Sequence, residues 1–183
     1  WILPVIIVSQ FAGTSLWFAS NAVLGDLQRE WALSTASLGY MTSAVQFGFV
    51  AGTLVFAFFA LSDRHSPRKV FLACALLGAA SNLAVLLFAA GLGSLLVFRF
   101  LTGFFLAGIY PVGMKIAAGW YRDDLGKAIG FLVGALVLGT AFPHLLRSIG
   151  HTFPWEMVIA AVSGAAGLGG ASSELVAKGG LGA

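Results

Sequence analysis

The sequence predicts an all-α, polytopic membrane protein with six transmembrane helices, and three observations carry that prediction. Hydrophobic residues make up 59% of the 183 and charged residues only 9%, where a soluble domain carries about 25% charge. Mean hydropathy is +0.95. The apolar residues are gathered into runs near the roughly 20 residues that a helix needs to cross a hydrocarbon core about 30 Å thick. Short polar breaks separate the runs, the sharpest being the charged island Leu61-Ser62-Asp63-Arg64-His65-Ser66-Pro67-Arg68-Lys69.

The first run predicts a helix over residues 4–25, with Pro4 in its first turn, where a missing N–H costs nothing. It is too long for the core of a signal peptide, which spans roughly 7–15 residues. Gly25 to Trp31 reads as a polar exit, and the hydroxyls of Ser34, Thr35 and Ser37 offer caps for a second helix over 37–61. After the island come a third helix, 68–90, and a fourth, 94–120, separated by Gly91-Leu92-Gly93-Ser94, a turn tight enough to make them antiparallel neighbours. Tyr121 to Gly126 leads into a fifth helix over 127–146. The sixth starts at Trp155 and is placed over 155–170, followed by a Gly/Ala-rich tail over 171–183, with an extension to Ala177 as the alternative.

A net charge of +3 would suggest nucleic acid in a soluble protein, but here the cations lie in loops between apolar runs and set orientation. Arg64, Arg68, Lys69, Lys115, Arg122, Lys127 and Lys178 fall on one side, against Arg29 and Arg147 on the other. The positive-inside rule then makes the island and both termini cytoplasmic, in an integral membrane protein expected in a bacterial inner membrane. Trp1, Trp31, Trp120, Tyr121 and Trp155 all fall near the expected interfaces, as an aromatic belt requires. The one cysteine, Cys74, lies in an apolar run, so there is neither a disulfide framework nor metal-ligand spacing. No nucleophile–base pair or phosphate loop is present, and no enzyme is expected.

Glycines and small residues recur at four-residue spacing, as Gly48 with Gly52, Gly126 with Gly130 and Gly134, and Ser163 with Gly167. In lipid this spacing lets helix backbones approach closely. Gly134, Gly139 and Pro143 also mark the fifth helix as a place for a bend. Asp63, at the end of the second helix, is expected to pair with Arg68 or to face the positive N-terminal end of another helix.

The island resembles the cytoplasmic signature between helices two and three of the major facilitator superfamily, Gly-x-Leu-x-Asp-Arg-x-Gly-Arg-Arg/Lys. The match falls on Leu61, Asp63, Arg64 and Arg68, with Lys69 following; Phe59 and Ser66 stand where the pattern has glycines, and Pro67 where it usually has a base. Arg99 to Gly103 is similar to the family's Arg-x-x-x-Gly pattern in helix four. Gly108-Ile109-Tyr110-Pro111, Trp120-Tyr121-Arg122 and Gly126 to Gly130 are similar to the helix-four to helix-five region of its anion and sugar-acid porters and nitrate-type permeases, though nitrate itself is disfavoured because no basic residue lies between Ser37 and Leu61. The resemblance covers one six-helix half of a fold built from two, with substrate held between the halves and access alternating as they rock.

The resemblance implies that Asp63, Arg64, Arg68 and Lys69 form the conformational signature. Arg99, Gln46, Tyr110, Asp26 and Asn21 are the candidate substrate or coupling residues, with Gln10, Ser15, Lys115 and His144 as further cavity groups. An arginine two turns inside the membrane must face the bundle interior and find partners, and Asp26 is expected to approach Arg99 from the outer end of helix one as the proton-carrying group. Two function classes follow. One is an alternating-access porter for a small polar or anionic organic solute, its second half supplied in trans, by a homodimer, or lost. The other is a half-transporter retained as a scaffold or assembly subunit of a larger membrane complex. The expected partners are the lipid bilayer and either that second half or those subunits, with no nucleic acid. No cofactor is expected beyond pigment or lipid contacts in a complex. The tail does not read like the charged linker that joins the family's halves, which points to a chain that stops there or has lost its second half.

Overall fold

The computed structural model describes residues 2–149 and 154–179. Among them every regular element is helical. Five spans are long and apolar enough to cross a bilayer: Ile2–Ala22, Ser37–Phe58, Pro67–Phe88, Leu92–Trp120 and Leu125–Ile149. A further 25-residue helix, Trp155–Gly179, completes the bundle.

Two of the expected spans are broken rather than continuous. The first is α1 (Ile2–Thr14), a 3-10 turn (Ser15–Phe18) and α2 (Ala19–Ala22). The Thr14 hydroxyl donates back to the Gln10 carbonyl at 2.8 Å and the Ser15 hydroxyl to that of Ala12 at 2.6 Å. Such back-bonding competes with the helical ladder and bends it. Phe18 then leaves helical geometry altogether, with φ −116° and ψ 18°. Gly25 to Trp31, expected as a polar exit, is helical as α3 (Leu24–Trp31), set off from α2 by a non-helical Val23 and closed by Ala32 in the left-handed region at φ 50°.

After α4 (Ser37–Phe58), Ala60 at φ 49° turns the chain into the single-turn α5 (Leu61–Arg64), so the second span ends before the island. In α6 (Pro67–Phe88), Pro67 occupies the first turn, where no N–H is missed. The fourth span is α7 (Leu92–Leu106) and α8 (Tyr110–Trp120), interrupted at Ala107-Gly108-Ile109. Pro111 explains the break, because it has no N–H for the Ala107 carbonyl four residues back. α9 (Leu125–Ile149) runs unbroken through Pro143, and α10 (Trp155–Gly179) extends past the expected end at 170. Residues 171–179, assigned to a tail from their composition, are helical; small residues in a membrane helix serve packing. A Cβ on Gly169 would lie 2.9 Å from that of Ala12, and one on Gly170 2.7 Å from that of Ala75. Residues 180–183 lie outside the described residues.

Glycine sets the tightest seam, between α4 and α7. A Cβ on Gly48 would fall on the Phe100 carbonyl oxygen, one on Gly52 on that of Phe104, and one on Gly103 on that of Val45. On the other side α1 packs between α9 and α10, and α6 packs against α7 and α10. The core at the centre is lined by Leu16, Val45, Phe71, Leu106, Ile109 and Ile159. The Tyr121 hydroxyl accepts the Leu3 N–H at 3.0 Å, tying the start of α1 to the end of α8.

Candidate functional site

Arg99, on α7, is fully buried and holds the broken first span. One guanidinium nitrogen donates to the Leu16 carbonyl at 3.1 Å and to Asn82 Oδ1 at 3.4 Å, and the other donates to the Trp17 carbonyl. In hydrocarbon an unmet carbonyl costs several kcal/mol, so irregular backbone survives only where protein groups satisfy it. The 3-10 turn and Arg99 therefore support each other. Asn82, on α6, orients the arginine through its carbonyl oxygen and donates its amide to Ser163 Oγ on α10 at 3.0 Å. Asn82 is not among the candidate residues that the sequence suggests. The signal was available, since an amide in the middle of an apolar run needs partners.

The expected approach of Asp26 to Arg99 is replaced by two separate sets of partners. Asp26 sits on α3, beyond the kink at Val23, with its side chain 13% exposed. It takes Arg29 one turn along the same helix and Arg147 of α9 at 2.8 Å. Beside it, Trp155 Nε1 donates to Glu30 Oε2 at 2.8 Å and the Trp155 ring meets Trp31 edge-on. This end of the bundle is thus tied across α3, α9 and α10.

At the opposite end, Asp63 makes an ion pair with a lysine of another span. Its carboxylate lies 2.5 Å from Lys115 Nζ on α8, which also donates to the Ser62 carbonyl at 2.7 Å. The break at 107–109 and the short turn of α5 bring these residues together from positions 52 apart in sequence. The pair is exposed, Asp63 by 70%, and a cleft of about 200 Å³ opens beside it, lined by Thr53, Phe56, Ser62 and Pro111 among others. Arg64 and Lys69 are exposed and Arg68 half-buried.

The remaining candidates are spread along the bundle. Gln46 is exposed on α4 and shares a cleft of about 240 Å³ with Trp17, Phe18, Leu136, Val137 and Thr140. Asn21 donates to Thr42 Oγ1 at 2.8 Å, joining α2 to α4. Tyr110 opens α8 and is half-buried. Gln10 is fully buried against Gly113, where a Cβ would fall on its amide oxygen. Ser15 is committed to the Ala12 carbonyl and Lys115 to the island. His144 is exposed, its ring 6.5 Å from that of Phe18. The structure thus groups Gln46 with Trp17 and Thr140, which the sequence did not single out, and sets Arg99 in a structural knot behind them.

The Major Facilitator Superfamily profile matches residues 6–177. The chain is similar to the uncharacterized transporter YgaY of Escherichia coli O157:H7, with 29% identity over 143 residues, 74% of this chain and 35% of that protein. It is 31% identical over 132 residues to the niacin transporter NiaP of Acinetobacter baylyi, 67% of this chain and 29% of that one. To the D-galactonate transporter of Escherichia coli O6:H1 it is 27% identical over 140 residues, 75% of this chain and 32% of that one. The chain spans about a third of the length of these relatives. With a buried arginine on its fourth span, the Asp-Arg island between its second and third, and a profile match over nearly its whole length, this integral membrane chain belongs to the Major Facilitator Superfamily of transporters.

Proposed function

We propose that the chain forms one half of a secondary transporter that moves a small polar or anionic organic solute by alternating access. The observation that carries this reading is the broken first span: a helix interrupted inside the membrane beside a cleft that holds Gln46 and Thr140. Interrupted helices are where transporters of many folds place substrate. The niacin and D-galactonate named for two relatives are both small organic acids, consistent with that solute class. The end that carries Asp63 and Lys115 is cytoplasmic in this reading, as are both termini, and the membrane is a bacterial inner membrane. The exposed Asp63–Lys115 pair is the contact that remakes as the half rocks. The complementary half comes from a second copy or from another six-helix chain.

One observation favours a scaffold in a larger membrane complex instead. A Cβ added at Gly126, Gly130 or Gly134 of α9 would meet nothing within 4 Å among the described residues, and this row would suit any apolar subunit. Native mass spectrometry of the gently extracted particle, followed by uptake into proteoliposomes, separates the two. A particle of two six-helix halves with solute uptake that Asp63→Asn slows supports transport. A particle of unrelated subunits without uptake overturns it in favour of the scaffold.

A further inference from the structure

We propose that α2 and α3 form an arm that closes the end of the bundle opposite Asp63, pivots at Phe18 and is latched shut by the Asp26–Arg147 pair. The inference rests on the transport reading for its use, since an arm that swings would open that end of the half to solute. Helix continuity does not hold the arm. Phe18 (φ −116°, ψ 18°) and Val23 (φ −107°, ψ 12°) both leave helical geometry, so α2 is a four-residue turn between two breaks. On the inner side of the first break the chain is fixed, because Arg99 holds the Leu16 and Trp17 carbonyls. Phe18 is the next residue along and becomes the pivot. It also lines the cleft beside Gln46, so a swing of the arm moves a cleft wall.

Side chains moor the arm at three points. Asn21 Nδ2 donates to Thr42 Oγ1 of α4, Asp26 takes Arg147 of α9, and Trp155 Nε1 of α10 donates to Glu30, each at 2.8 Å. The arm therefore reaches across from α4 to α9 and α10. Its underside is apolar, with Ala19, Val23 and Leu27, spaced four residues apart, all fully buried. The three moorings are not equal. The Asn21 bond joins two neutral groups and the Glu30 bond is exposed, which makes each a weak tie. The Asp26 carboxylate is largely withdrawn from water, and a charge so placed suffers most when a partner is removed. Of its two arginines, Arg29 lies on the arm and moves with it, so Arg147 is the one that ties Asp26 to the rest of the bundle.

Cysteine labelling with a charged maleimide reads the arm directly, in nanodiscs, where both ends of the bundle are open to the reagent. Leu27→Cys reports from beside the latch and Ser20→Cys, nearly isosteric, from beside the pivot; both side chains are fully buried. Native Cys74, buried on α6, reports general loosening in the same peptide digest. Arg147→Gln should speed labelling of the Leu27→Cys thiol about tenfold, because local opening of the arm becomes that much more frequent, and should speed Ser20→Cys less. Asp26→Asn should act alike, and the two together should add little to either alone. Arg147→Lys keeps the charge and should stay near the parent rate. Rates unchanged by Arg147→Gln at both reporters, an equal rise in Arg147→Lys, or a rise at Cys74 in step with the reporters would each overturn the latch. Labelling as expected in a chain that takes up no solute counts against transport alone, and uptake with unchanged labelling counts against the latch alone.

Discussion

Two rows of glycine with the same four-residue spacing meet opposite surroundings in this bundle. Gly48 and Gly52 on α4 press against the backbone of α7, where added Cβ atoms would fall on the carbonyl oxygens of Phe100 and Phe104. Cβ atoms added at Gly126, Gly130 and Gly134 on α9 would meet nothing within 4 Å among the described residues. Yet the same helix closes tightly on α1 a little further along, where a Cβ on Gly139 would lie 2.5 Å from the Phe11 carbonyl oxygen. Spacing alone shows that a helix can approach another closely. Whether it does depends on which face the other helices leave occupied.

The comparison breaks most easily at the α4–α7 seam. Gly48→Ala or Gly103→Ala puts a methyl onto backbone that cannot swing aside, and either should destabilise the bundle by about 3 kcal/mol. Loss of monodisperse elution after mild heating in detergent checks this; variants as heat-resistant as the parent would contradict the seam. Gly139→Ala should cost less, about 2 kcal/mol, because one of its two close neighbours is the Thr14 side chain, which can rotate. Its thermal midpoint should fall between those of Gly48→Ala and the parent. The smallest effect sharpens the contrast: Gly130→Ala, on the same helix, should leave stability unchanged or raise it by up to about 1 kcal/mol, since it only restrains the unfolded backbone. A marked loss at Gly130 in the isolated chain would mean that the open row is packed after all.

The charged residues repeat the lesson. That Arg99 would be buried and partnered was legible from its place in an apolar run, because a charge in hydrocarbon has few alternatives. Which partners it takes was not. They are the carbonyls of Leu16 and Trp17 and the amide of Asn82, 17 and more residues away in sequence, and only the break in the first span makes the two carbonyls available. Asp26 and Asp63 show the converse. Each has an arginine nearby in sequence, Arg29 and Arg68, but tertiary packing adds Arg147 to the first and gives Lys115 to the second.

The order of the spans, the membrane as solvent and the family's motifs were legible in the sequence alone, because hydropathy over about 20 residues and a charged island between two runs need no knowledge of neighbours. The tertiary structure decided where the helices break, which glycine row is a seam, and that Trp17 joins Gln46 and Thr140 at one cleft. The reason is physical. In a bilayer every helix is apolar nearly all round, so the amphipathic stripe that marks the inner face of a soluble helix is missing. The inner face is then chosen by close backbone packing and by a few polar groups that must find one another across the bundle.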